Sequence, residues 1–317
     1  MEFNSDSRAA PMPPPEKPAM ALADCLYRTA LLWRGRGCWH WRHYGRHYRA
    51  EVRAGGWDVT IERRRYRLRS LSHWLPSGRN VHIVLSGPSI SRIDAPDLLL
   101  QGARITVNGS FQILADGGVH SDLYLISDVG YVRRQWSSVQ AGIANARALA
   151  VDHRVALELA RRDPDLFDRI PTYLFDNLQR PYRQSSAWWR RFSPAELAMD
   201  GQRCAFSNDA DIGFYPSRTV AFLALQIAAA QRPRRIVLFG LDLSEGRYYA
   251  EATPERSMLQ QDYAEYIAPD FRFAADLLRN TSIEVINASL QSTLPGDILP
   301  RVDPNEYLKQ LPFADAA

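Results

Sequence analysis

From residue 80 onward, short apolar runs alternate with amphipathic stretches, and this alternation constrains the fold more than any other feature of the chain. The runs at 81–85, 105–107, 123–127, 148–151, 172–175, 204–207, 235–239 and 283–286 read as strands. The stretches 137–147, 153–162, 217–231 and 256–279 read as helices between several of them. Parallel neighbours need a long crossover, for which a helix is the usual solution. The pattern predicts an α/β chain with a doubly wound, Rossmann-like, mostly parallel sheet. In such sheets ligands sit beyond the carboxyl ends of the strands, where the strand order reverses. The residues just after each strand are therefore the candidate site.

The first run ends in Ser86-Gly87-Pro88-Ser89. Gly87 removes a side chain where a ligand would approach. Ser89 is placed to cap a helix opening near Ile90, whose free N–H groups suit a phosphate. The same tetrapeptide also serves as an ordinary strand-to-helix turn. The second run ends in Asn108-Gly109-Ser110, where the Asn amide offers both donor and acceptor. A plain Asn-Gly hairpin turn is the alternative, weakened because "QILADGGVHSD" is not a clean return strand. The third run ends at Asp128, a candidate general base, a ribose-hydroxyl acceptor or a helix cap.

The most informative segment is "DIGFYPSRTVAFLALQIAAAQRPRRIVLFGLDLS". Pro216 precedes a long apolar helix opened by Ser217 or Thr219, and the N-terminus of that helix supplies dipole and donors for an anion. The next strand ends in Gly240-Leu241-Asp242. Tyr248 and Tyr249 follow, with hydroxyls that could reach a phosphate or rings that could pack at an interface.

Charge divides the chain. Between Arg28 and Arg69 stand twelve arginines and three acids, a balance of +9 against −5 for the remainder. Arginine supplies 37 of the 39 basic residues, so arginine identity carries little information here and its clustering carries more. Residues 1–20 read as a disordered, proline-stiffened leader without the basic start and apolar core of a secretory signal. Residues 21–79 form a small basic, aromatic-rich N-terminal appendage, with a helix over "MALADCLYRTALLW" carrying Leu22, Cys25, Leu26 and Thr29 on one stripe. A hairpin is expected around Gly55-Gly56. Residues 80–300 form the main domain and 301–317 a tail. No run of about 18 apolar residues suggests a membrane span. Three scattered cysteines, Cys25, Cys38 and Cys204, argue against a disulfide framework or a zinc site and fit a reducing cytoplasm.

The order of these motifs resembles the bacterial CMP-sialic-acid-dependent sialyltransferases, glycosyltransferase family 42, and the related lipopolysaccharide-core proteins regarded as Kdo transferases. The phrases "VLSGPSIS", "VNGS", "RTVAFLALQIA" and "GLD" look closer to the core proteins, and the resemblance covers about residues 80–290. It implies a nucleotide-sugar-binding glycosyltransferase that moves a 2-keto sugar acid, Kdo or sialic-acid-like, from a CMP donor to a lipid-linked or oligosaccharide acceptor of the lipopolysaccharide core. Gly87, Pro88 and Ser89 would line the donor phosphate and ribose. Asn108 would contact the nucleotide or its phosphate, with Ser110 beside it. Ser217 and Thr219 would hold the donor, with Asp242 in the same set, and Tyr248 or Tyr249 would bond the departing phosphate. The resemblance implies no metal and no separate cofactor, the CMP-activated sugar being the substrate.

One departure stands out. The sialyltransferases carry a histidine base downstream of the tyrosines, whereas all seven histidines here lie at or before His153. Asp128 is the first candidate base, with Asp211 or Asp262 behind it; otherwise the protein is a non-catalytic, membrane-associated sugar-nucleotide binder. A further alternative is a pterin diphosphokinase-like or flagellin-glycosylation-type nucleotide-binding protein, which shares the Gly-Pro-Ser opening. No Walker-type loop is present.

Trp33, Trp39, Trp41, Trp57, Trp74, Trp188 and Trp189 are interleaved with arginines. That chemistry suits an anionic membrane surface, and the lipid-linked acceptor that the resemblance implies would put a cytoplasmic protein there, peripheral at the inner face of the inner membrane. Single-stranded nucleic acid could use the same chemistry, but no RNA-binding module pattern accompanies it. The bland alternative is a solvated subdomain in an arginine-rich composition.

Overall fold

The computed structural model describes residues 22–45, 47–75, 79–201, 203–249 and 258–310, so the leader expected over 1–20 lies outside it. Its strands are β1 (Tyr48–Arg53), β2 (Gly56–Ile61), β3 (Arg64–Arg69), β4 (Val81–Val84), β5 (Ala103–Val107), β6 (Leu123–Ile126), β7 (Leu149–Asp152), β8 (Thr172–Phe175), β9 (Leu197–Met199), β10 (Ala205–Ser207), β11 (Arg235–Phe239) and β12 (Glu284–Ala288). The α-helices are α1 (Leu22–Trp33), α2 (Gln112–Asp116), α3 (Val129–Arg134), α4 (Trp136–Asn145), α5 (His153–Arg162), α6 (Leu166–Arg169), α7 (Val220–Ala230), α8 (Leu259–Asp262), α9 (Ala268–Arg279) and α10 (Pro304–Lys309).

Ten strands make one sheet in the order β1-β2-β3-β8-β7-β6-β5-β4-β11-β12. From β8 to β12 every pairing is parallel. The chain starts this part of the sheet at β4, steps outward through β5 to β8, then returns to the other side of β4 with β11. The strand order thus reverses between β4 and β11, the position where such sheets open a ligand crevice.

Successive residues of the central strands are buried on opposite faces, which is why these strands read as unbroken apolar runs. Val81 and Ile83 of β4 pack with α7 and α9, whereas Val84 packs with α2 and α10. Toward the other edge, Tyr124, Leu149 and Val151 pack with α3, α5 and the antiparallel strands. α7 is buried almost all round, as its sequence of Leu, Ile, Phe and Ala requires.

Several expectations are refined. The hairpin at Gly55-Gly56 forms, with Arg53 opposite Gly56, and a third antiparallel strand extends it. The three strands continue the main sheet through the parallel pairing of Arg69 with Tyr173. The run at 204–207 does not join that sheet; it pairs with β9 in a separate two-stranded ladder. The expected helix near Ile90 is only a 3-10 turn, Pro88–Arg92. The helix expected over 256–279 contains a π turn at Tyr263–Ile267. Pro269 begins the next stretch without an N–H to give to Glu265, which shifts the hydrogen-bond register.

The aromatic appendage is also more structural than its composition suggested. Of the seven tryptophans singled out, only Trp33 is exposed, at 86%. The other six are part-buried, Trp57 against His153 and Trp188 and Trp189 over Leu178. On α1 it is Leu31 that is buried, whereas Leu26 stands exposed with Leu32 and Trp33. No described helix is long and apolar enough to cross a membrane.

Candidate functional site

A cleft of about 660 Å³ opens at the carboxyl ends of β4, β5, β6 and β11. Its floor comes from the turns after those strands: Ser86 and Gly87, Asn108, Ser127 and Asp128, and Gly240. One wall is the start of α7, with Ser217, Arg218 and Thr219. The other is the segment after β11, with Ser244, Arg247 and Tyr249.

α7 points its N-terminus at this space. Thr219 is its cap and accepts the Ala221 N–H at 3.3 Å. The first-turn N–H groups and the helix dipole create positive potential there. Ser217 is fixed from behind by its hydroxyl donating to the buried Asp270 carboxylate. Arg218 and Arg203 each lie over the Tyr266 ring at 4.7 Å. Arg247 crosses the ring of Tyr249 at 5.9 Å and donates to its hydroxyl at 3.3 Å.

Asn108 carries the clearest sign of an absent partner. It adopts a left-handed φ of 49°, a conformation in which Asn is enriched among non-glycine residues. Its side-chain oxygen Oδ1 is buried and has no hydrogen-bond partner. A buried acceptor without a donor costs about 1–3 kcal/mol, so it marks a place where a ligand donor fits. The next residue, Gly109, has a packing reason to be glycine: a Cβ there would lie 2.4 Å from the Tyr249 ring.

Of the residues singled out in the sequence, Gly87, Asn108, Asp128, Ser217, Thr219 and Tyr249 line this cleft. Asp128 has two roles in view. It forms the cap of α3, accepting the Gly130 N–H at 2.7 Å, and its side chain stays 57% exposed beside the cleft.

The others are placed elsewhere. Ser89 is buried, its N–H donating to Asp242 Oδ2 at 2.7 Å and its hydroxyl to Oδ1 at 2.5 Å. Asp242 also receives the Ser289 hydroxyl, so Ser89 and Asp242 tie the ends of β4, β11 and β12 together rather than facing a donor. Gly87 is small for the same reason: its Cβ would lie 2.4 Å from the Gly240 carbonyl and 2.6 Å from Asp242. Ser110 stitches strand ends, accepting the Val107 N–H at 2.8 Å and donating to the Val84 carbonyl at 2.6 Å. Pro88 is exposed outside the lining, and the Tyr248 hydroxyl is turned to Asp116 at 2.8 Å. Asp211 accepts from Ser70 and Ser72 beyond the cleft, and Asp262 lies half-buried in α8 outside the lining. For Ser89, Asp242 and Ser110 the cause is shared: polar residues after parallel strands are also what joins one strand end to the next.

Arg218 and Arg247 escaped sequence reasoning. With arginine so abundant, neither stood out, although Arg218 sits between Ser217 and Thr219.

A second titratable group lies farther along the same rim. The His153 ring accepts or donates at 2.6 Å to the Tyr48 hydroxyl and stacks on Tyr182 at 4.9 Å. Burial lowers its pKa to about 3 and pushes that of neighbouring Asp176 up to about 8. Asp152, at the end of β7, is raised to about 6 by burial. All of these are enclosed by the antiparallel strands and serve as core, not cleft.

No protein-family model matches the chain. A protein of Salmonella typhimurium named "Probable 3-deoxy-manno-octulosonic acid transferase" is 28% identical over 246 residues, which is 71% of this chain and 87% of that protein. The protein of the same name from Escherichia coli is 26% identical over 241 residues, 70% of this chain and 81% of its own. Both relatives carry the name to which the sequence resemblance points. Among solved structures, a MAf glycosyltransferase from Magnetospirillum magneticum AMB-1 superposes with a TM-score of 0.44 at 13% identity, covering 72% of this chain and 34% of that one. The sialyltransferase CstII from Campylobacter jejuni, in complex with CMP-3FNeuAc, gives 0.42 at 16% identity over 72% of this chain and 87% of its own. At these scores the superpositions fix no residue correspondence.

Proposed function

We propose that this chain, a relative of proteins named as probable 3-deoxy-manno-octulosonic acid transferases, is a glycosyltransferase that moves a 2-keto sugar acid from a CMP donor to a sugar acceptor of the lipopolysaccharide core. The observation that carries the reading is one cleft at the reversal point of the sheet that joins a helix N-terminus, two arginines, a tyrosine and the unpartnered oxygen of Asn108.

Each part has a task in that chemistry. The start of α7, with Thr219 and Arg218, receives the donor phosphate and stabilises negative charge as CMP departs. Arg247 and Tyr249 close on the phosphate from the opposite wall. Asn108 Oδ1 accepts a hydrogen bond from the donor. Asp128 takes the proton of the acceptor hydroxyl as the glycosidic bond forms, replacing the histidine that the sequence lacks. Positioning and leaving-group stabilisation supply most of the acceleration, so a carboxylate base suffices. The reaction in this reading needs no metal ion, and turnover should be unchanged by a chelator. The exposed face of α1, with Leu26, Leu32 and Trp33 beside Arg28 and Arg34, supports peripheral contact with an anionic membrane.

The test is CMP binding followed by donor turnover. CMP at millimolar concentration should raise the melting temperature, and cells lacking the protein should yield a lipid A–core that is lighter by one Kdo-sized unit. Absence of any thermal protection by CMP or CDP would remove the basis of the reading. Protection by ATP with Mg²⁺ instead would move the chain to the diphosphokinase-like alternative.

A further inference from the structure

Beside the cleft, on the same rim of the sheet, three arginines converge without a carboxylate partner. β6 and β7 are in register at Ile126 and Val151, so Asp128 of the cleft and Arg154 of the first turn of α5 leave neighbouring strand ends side by side. The loop after β8 reaches back to the cleft wall. Gln179 Nε2 donates to the Pro216 carbonyl at 3.2 Å, and Asn177 bridges to Phe214. That loop carries Arg180. The 3-10 turn Arg36–His43 is laid against it, with His40 Nε2 at 2.8 Å from the Pro181 carbonyl and Trp41 Nε1 donating to Gln184 at 2.9 Å. This turn brings in Arg42, whose guanidinium lies over Trp39 at 5.0 Å and donates to its carbonyl.

Several arginines elsewhere are tied to carboxylates: Arg104 to Asp122, Arg133 and Arg162 to Glu158, Arg235 to Glu284. Among the described residues, Arg42, Arg154 and Arg180 have no such partner. The carboxylates at these strand ends are engaged elsewhere: Asp128 caps α3 and pairs with Arg134 at 3.5 Å. Asp152 accepts the N–H groups of Arg154 and Val155, and Asp176 those of Asn177 and Tyr182; both are buried. Burial, together with the charges of Arg154, Arg42, Arg180 and Arg133, drives the pKa of His43 down to about 4, so this ring is a reporter of the local cationic field. Like charges held together without a counter-ion repel one another, and an anion relieves them.

We propose that Arg42, Arg154 and Arg180 form a subsite for an anionic group, a phosphate or a carboxylate, carried by the acceptor that meets the donor in the neighbouring cleft. The proposal rests on the glycosyl-transfer reading for the word acceptor, and on the arginine geometry for the anion. Guanidinium groups offer forked donors that match the oxygens of either anion. The position is what an acceptor needs, because Asp128, which lines the cleft with the start of α7, leaves the strand end next to that of Arg154.

The test is a phosphate titration followed by NMR of His43 in the full-length protein, with CMP affinity measured on the same sample. Inorganic phosphate should raise the His43 pKa toward its ordinary value in a saturable way. Arg154→Gln and Arg180→Gln should each weaken that response by about tenfold, as expected for a charge-assisted contact, while CMP affinity stays unchanged. No phosphate-dependent shift in a protein that binds CMP would overturn the subsite, as would a shift that survives both variants. If phosphate binds here but CMP binds nowhere, the acceptor assignment falls with the donor reading. A response to phosphatidylglycerol vesicles but not to inorganic phosphate would overturn the subsite in favour of a lipid-facing patch.

Discussion

Gly109→Ala places one methyl group where the structure leaves no room for it. Gly109 lies in the 3-10 turn Asn108–Phe111 and does not use a left-handed φ, so alanine meets no backbone penalty. The closest clash is with Tyr249, whose ring atoms would be 2.4, 2.5 and 2.6 Å from the new Cβ. That ring is only 7% exposed, but it borders the open cleft and can turn into it without deforming the sheet. The lower part of the overpacking range therefore applies, about 1–2 kcal/mol, or roughly 2–5 °C in melting temperature for a chain of this size. The displaced ring then fills donor space, so CMP affinity should fall by about tenfold, equivalent to ~1.4 kcal/mol. Calorimetric melting and CMP titration read the two effects separately. On a Tyr249→Ala background the same substitution should cost nothing, since the clash is gone. An unchanged melting temperature and CMP affinity in Gly109→Ala, or an equal loss in both backgrounds, would show that Tyr249 is not the packed wall described here.

Three further outcomes are expected. Asp128→Asn should leave the melting temperature within error, because asparagine caps helices as well as aspartate does, yet lower turnover by about 10²–10⁴-fold; Asp211→Ala, remote from the cleft, should leave turnover intact. Arg218→Ala and Arg247→Ala should each weaken CMP binding by about 10–100-fold through loss of a charge-assisted bond, read by calorimetry, and unaltered affinity in both would remove the arginines from the phosphate site. Asp176, with its folded-state pKa raised to about 8 by burial, favours the native state fully below the ordinary carboxylate range, and that contribution is lost as pH rises through about 8. Asp176→Asn should accordingly gain stability relative to the parent between pH 5 and pH 8.5 in urea unfolding, and a pH-independent difference would contradict the buried neutral acid.

The sequence by itself determined the architecture. Strands buried on both faces must be apolar throughout, and parallel connections require helices, so β4 to β8, β11, β12, α5 and α7 could be located within one to three residues of their observed ends. The same reasoning found the cleft, because ligand crevices follow from strand order and the start of α7 is marked by its cap. Which polar residues face that cleft was decided only by tertiary structure. Ser89 and Asp242 follow their strands just as Asn108 does, yet they bond to each other across β4 and β11 while Asn108 keeps an unmet acceptor. Tyr248 and Tyr249 are adjacent in the chain and point to different places, one to Asp116 and one into the cleft. The arginines show the limit most plainly: 37 of them look alike in the sequence, and only the packing of the turn Arg36–His43 against the loop after β8 leaves three together without a carboxylate. Periodicity and capping are local properties that a chain carries in its order of residues, whereas a side chain's partner is set by segments more than a hundred residues away.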